Sequence, residues 1–104
     1  MGLLSLLGFG SGKIKDALRN GAVIIDVRTA AEYDRGHIPK ALNIPVDRIN
    51  TSIQRIKGFA RPVILCCNSG ARSSIALQSL KANGVNQVYN GGSWENVLRL
   101  MRNL

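Results

Sequence analysis

The chain has 104 residues, 45% of them hydrophobic, and sets 14 Lys and Arg against 6 Asp and Glu for a formal charge of +8. That length supports one core and not two, so a single domain over residues 1–104 is expected. The basic residues form no run and few aromatics are available to stack bases, which argues against nucleic acid and for a surface that attracts small anions or an acidic partner.

The opening Met1-Gly2-Leu3-Leu4-Ser5-Leu6-Leu7-Gly8-Phe9-Gly10 is apolar but lacks the basic flank and cleavage site of a secretory signal. Leu6 stands where a myristoylation site needs Ser or Thr. Residues 1–10 are expected to cover one edge of the core as a short strand or turn, with a peripheral membrane or partner contact as the alternative. Ser11 is the expected N-cap of a first helix carrying Ile14, Ala17 and Leu18 inward, ended by Gly21. Ala22 to Val27 is a continuous apolar run closing on Asp26, which reads as a strand buried on both faces. Thr29-Ala30-Ala31-Glu32 has capping-box spacing and opens a short helix that Gly36 and Pro39 terminate.

Ala41 to Ile44 is a brief strand ended by Pro45, and Val46, Ile49, Ile53 and Ile56 continue as a helical stripe up to Gly58. Val63 to Cys66 is the next strand. A helix from Arg72 to Asn83 offers Ile75, Ala76, Leu77 and Leu80 to the core, with Gly84 at its C′ position. Val85 to Tyr89 is the expected last strand and Gly91-Gly92 a turn. Trp94 to Arg102 closes the chain with Val97, Leu98 and Met101 inward. Alternating strands and helices imply an α/β fold, a doubly wound parallel sheet of four or five strands flanked by helices. No stretch reaches the roughly 18 apolar residues of a membrane span.

In such sheets ligands gather beyond the carboxyl ends of the strands, where Asp26 and Cys67 both fall. After Cys67 come Asn68, Ser69, Gly70, Ala71, Arg72 and Ser73: a thiol, a short Gly-containing loop and a helix start. Backbone N–H groups of such a loop converge on one point, and the helix dipole and a guanidinium favour negative charge there. A thiolate is thereby stabilised. The neighbouring thiols Cys66 and Cys67 cannot form an unstrained staple, which fits a reducing compartment and a cytoplasmic location.

Two segments carry a family resemblance. Ile25-Asp26-Val27-Arg28, Glu32-Tyr33 and the run from Gly36-His37-Ile38-Pro39 to Pro45 resemble the first signature of rhodanese domains. Cys67-x-x-Gly70-x-Arg72-Ser73, followed by Asn90-Gly91-Gly92-x-Trp94, is similar to the second. The resemblance implies a rhodanese-like sulfurtransferase with no metal or organic cofactor. Cys67 would be the nucleophile, taking sulfur from a small anionic donor such as thiosulfate, or from a persulfide, and passing it to a thiol, protein or cyanide acceptor. The amides from Asn68 to Arg72 would hold the donor. Arg72 would pair with the strand-end carboxylate of Asp26. Arg28 is open between ordering the neighbouring loop and meeting substrate, His37 is read as bonding a turn, and Trp94 as core.

Two departures bear on function. Many family members carry Arg after the nucleophile where this chain has Asn68, so a dianionic donor should bind less well. Counted from Cys66, Arg72 follows five intervening residues, the Cys-x5-Arg spacing of tyrosine phosphatases and arsenate reductases with related folds. Gly70 lies three positions after Cys67, and Leu65 replaces the His that often precedes a phosphatase nucleophile, so Cys67 is the preferred thiol. Cys66 is then a buried strand residue, or a resolving thiol. A sulfur-relay module without turnover, docking an acidic protein, is the remaining alternative; donor, acceptor and oligomeric state stay open.

Overall fold

The computed structural model describes residues 10–104. The expected edge cover formed by the opening segment lies outside them, apart from Gly10. That residue, not Ser11, is the N-cap of α1 (Ser11–Arg19). There follow β1 (Val23–Asp26), α2 (Ala30–Asp34), β2 (Leu42–Asn43), two 3-10 turns over Val46–Arg48 and Asn50–Ser52, and α3 (Ile53–Gly58). Then come β3 (Val63–Cys67), α4 (Ala71–Ala82), β4 (Val88–Ser93) and α5 (Trp94–Arg102).

The four strands form one parallel sheet in the order β2-β1-β3-β4. Successive strand residues face opposite sides, so each continuous apolar run is shared between two cores. Ile25, Val63, Leu65 and Cys67 join Ile49, Ile56, Ala76 and Leu80 beneath α3 and α4. Ile24, Ile64 and Cys66 join Ile14, Ala17, Val97 and Leu100 beneath α1 and α5. Burial on both faces is why β1 and β3 show no apolar-polar alternation.

Further local expectations need correction. Ile75 is 61% exposed. The buried stripe of α4 runs through Ser73, Ala76 and Leu80 with Leu77 beside it, and Ile75 falls off that helical period. The stripe from Val46 to Ile56 is built as two 3-10 turns, wound more tightly than an α-helix, followed by a short α-helix, and Ile49 and Ile56 still reach the core.

The last strand begins at Val88 and runs through Gly91-Gly92. The Val85 N–H instead closes the end of α4 by donating to the Leu80 carbonyl at 2.9 Å. Against β4 the register steps from Leu65 opposite Asn90 to Cys67 opposite Ser93, so β4 carries an extra residue there. A Cβ at Gly91 would stand 2.4 Å from Val97 Cγ2 and 2.9 Å from Ile64 Cγ2. The glycine pair is therefore a strand bulge packed against α5, and not a turn.

Candidate active site

The carboxyl ends of β1 and β3 lie side by side, with Asp26 in register with Cys66. Cys67 is the last residue of β3 and is 1% exposed. The chain then crosses Asn68 to Gly70 and enters α4, with Gly70 at its N-cap in the left-handed conformation, φ 96°. A side chain resists that geometry. The turn brings the Gly70 N–H back to donate to Cys67 Sγ at 2.9 Å. Asn90, buried on β4, donates from Nδ2 to the Gly70 carbonyl at 3.0 Å and accepts from the Gly92 N–H at 2.9 Å, tying the loop to the bulge.

Burial alone would push the Cys67 thiol up. The Ser73 hydroxyl and the backbone N–H groups of Ser73, Ser69 and Gly70 outweigh it, so the thiol pKa lies below its ordinary value. Ser73 is wholly buried, and its hydroxyl is the one buried side-chain polar atom without a hydrogen-bond partner among the described residues. It acts on the sulfur through its dipole, short of a formed bond. Cys66 is in the opposite situation. Burial, reinforced by the charge of Asp26, drives its thiol far above the ordinary value despite the opposing Arg28. It is 0% exposed and belongs to the core on the other face of the sheet from Cys67. A strand residue so placed fits neither a phosphatase nucleophile nor a resolving thiol.

Arg72 does not pair with Asp26. Its guanidinium lies across the Glu32 carboxylate, Nη1 to Oε1 at 2.7 Å and Nη2 to Oε2 at 3.0 Å. Asp26 is taken by Arg28, two residues along the same chain segment, and the pair is buried. Arg28 also donates to the Gly36 carbonyl at 2.7 Å and lies 5.1 Å from the Trp94 ring centroid, so it orders the neighbouring loop. Proximity in sequence decides the exchange of partners: Arg28 reaches Asp26 from within the β1 exit, leaving α2 to meet Arg72.

Glu32 is accordingly the site residue missed by sequence reasoning. The capping box is formed, with the Glu32 N–H donating to Thr29 Oγ1 at 3.2 Å and the Thr29 N–H to Glu32 Oε1 at 3.0 Å. The same carboxylate accepts from Asn68 Nδ2 at 2.7 Å. The Arg72 guanidinium first, and the Thr29 N–H next, hold its pKa well below the usual carboxylate range. His37 donates from Nδ1 to the Tyr33 carbonyl at 2.6 Å and stacks on the Tyr33 ring, which supports the turn reading. Trp94 is partly buried against the α1–α5 core. Among the described residues no group of three or more His, Cys, Asp or Glu gathers to hold a metal. Nor is any helix among them long and apolar enough to cross a membrane.

The chain is 39% identical over 69 residues to the uncharacterized protein YqhL of Bacillus subtilis. It is 34% identical over 91 residues to thiosulfate sulfurtransferase 18 of Arabidopsis thaliana, covering 75% of this chain and 67% of that protein. It covers 66% of itself and about half (54%) of the Bacillus relative, and smaller shares of several other relatives. Among solved structures, a rhodanese with anions from E. coli superposes with a TM-score of 0.67 at 28% identity, over 73% of this chain and 91% of that one. A model of the rhodanese-like domain matches residues 11–99, and with sheet order, loop and helix start all in place, the chain belongs to the rhodanese-like domain family.

Proposed function

We propose that this protein is a sulfurtransferase that carries a sulfane sulfur as a persulfide on Cys67. The observation that carries the reading is the environment of the Cys67 sulfur. It receives the Gly70 N–H at 2.9 Å, and the surrounding dipoles hold the thiol below its ordinary pKa. A thiol held so ionises more readily than an ordinary one, and the thiolate is the nucleophilic form.

The chemistry balances without a cofactor. The Cys67 thiolate attacks the outer sulfur of the donor, an S–S bond forms to Cys67, and the donor S–S bond breaks. Thiosulfate leaves as sulfite, and a persulfide donor leaves as its thiolate. An acceptor thiolate or cyanide then attacks the outer sulfur, forming a new persulfide or thiocyanate and returning the Cys67 thiolate. No net proton or electron is required. The Ser73 hydroxyl, which lacks a partner, would find one in the charged sulfur of either state. Since Cys67 is 1% exposed, the donor must present a narrow terminal sulfur.

Intact-protein mass spectrometry tests the reading. Reduced protein incubated with thiosulfate or a persulfide should gain one sulfur, about 32 Da, in wild type and Cys66→Ser but not in Cys67→Ser. A gain retained in Cys67→Ser, or absent with every donor, would overturn it.

A further inference from the structure

The loop contains a single cation, and that cation is already spent. Between Cys67 and Ser73 only Arg72 is positively charged. Both its terminal nitrogens are engaged by Glu32 at 2.7 and 3.0 Å. The remaining acceptor capacity of Glu32 is taken as well. Oε1 accepts from the Thr29 N–H and hydroxyl, each at 3.0 Å, and Oε2 from Asn68 Nδ2 at 2.7 Å. Asn68 thus brings no charge to the loop and secures the anion that neutralises Arg72. Arg72 keeps further N–H groups, but its charge is balanced by Glu32, so the net attraction left for an incoming anion is that of the backbone N–H dipoles around Cys67. At a helix start these amount to roughly half an elementary charge.

We propose that Glu32 sets the charge of the donor, and that the loop accepts singly charged persulfides, R–S–S⁻, in preference to dianions such as thiosulfate. The proposal rests on the sulfur-transfer reading for its substrate class, but its electrostatic core is independent of turnover. The interaction of a bound anion with the Glu32 charge is proportional to the charge of that anion. Removing the Glu32 charge should therefore improve the binding of a monoanion by some factor and that of a dianion by the square of the same factor. A residue that merely shapes the loop would change both alike.

Glu32→Gln makes the test, because Gln keeps an amide oxygen for the Thr29 N–H and remains a capping-box residue. The rate of iodoacetamide alkylation at Cys67 is followed while sulfate or thiocyanate is added at constant ionic strength, which fixes the screening. In Glu32→Gln the concentration of thiocyanate giving half protection should fall about five-fold and that of sulfate about twenty-five-fold. Glu32→Asp retains the charge and should keep the wild-type ratio between the two ions. In turnover, Glu32→Gln should lower the KM for thiosulfate more than that for a monoanionic alkyl persulfide. Equal changes for the two ions, or none, would overturn the proposal. If wild-type protein takes sulfur from no donor, the sulfur-transfer reading fails, while the sulfate-to-thiocyanate ratio still decides the role of Glu32.

Discussion

Arg28 and Asp26 are joined by four hydrogen bonds, three from the guanidinium at 2.7–3.1 Å and one from the Arg28 backbone N–H at 3.0 Å. The pair is buried, with side-chain exposures of 5% and 0%. Removing one partner leaves a buried charge uncompensated. Arg28→Ala should therefore cost about 3–5 kcal/mol, read as a lowered midpoint in chemical denaturation. The double variant Asp26→Leu with Arg28→Met should recover much of that loss. A double variant as unstable as Arg28→Ala would show that the pair does more than neutralise itself.

The two thiols should respond oppositely to pH. Cys67 loses its proton below the ordinary thiol value and Cys66 far above it. Alkylation at neutral pH should fall on Cys67 alone, and Ser73→Ala should move its titration upward. Stability should rise with pH between the native Cys67 value and the ordinary thiol value, where only the unfolded chain still holds that proton. Above the ordinary value it should fall, because native Cys66 keeps a proton that the unfolded chain releases. Modification of both thiols at equal rates would contradict the assignment.

Asn68→Arg places two guanidiniums beside one Glu32 carboxylate. One positive charge is then left unmatched in the loop, and the KM for thiosulfate should drop several-fold relative to wild type. Saturation curves for the two proteins check this. An unchanged KM would mean that the charge at position 68 does not reach the donor.

Gly91→Ala has no room for its methyl group against Val97 and Ile64. The substitution should destabilise the fold by about 1–3 kcal/mol, measured by urea unfolding. It should also loosen the nucleophile loop, since Asn90 next to it holds the Gly70 carbonyl.

The parts of the site legible in the sequence are those fixed by short spacings. The capping box of Thr29 and Glu32 spans one helical turn and is formed as read; the loop after β3 carries its own glycine, Gly70, and leads into a helix that starts at Ala71, one residue before the expected Arg72. The partner of Arg72 was not legible in the same way. Glu32 and Arg72 are 40 residues apart, and their meeting depends on β1 lying beside β3. Asp26 was equally well placed by register, and only the local reach of Arg28 removed it. The glycine pair misled for a related reason. Gly91-Gly92 has the composition of a turn, and its place inside β4 is imposed by close packing of α5, a contact that no local pattern encodes.

Cys66 and Cys67 adjoin along the chain but face different cores. Mild oxidation should accordingly yield no internal cystine, a loss of 2 Da that mass spectrometry would detect at once. On the proposed chemistry, a loaded Cys67 has no thiol within the fold to unload it. The protein keeps its cargo until a second molecule arrives, and the lifetime of the loaded form becomes a measure of how much of that molecule its surroundings contain.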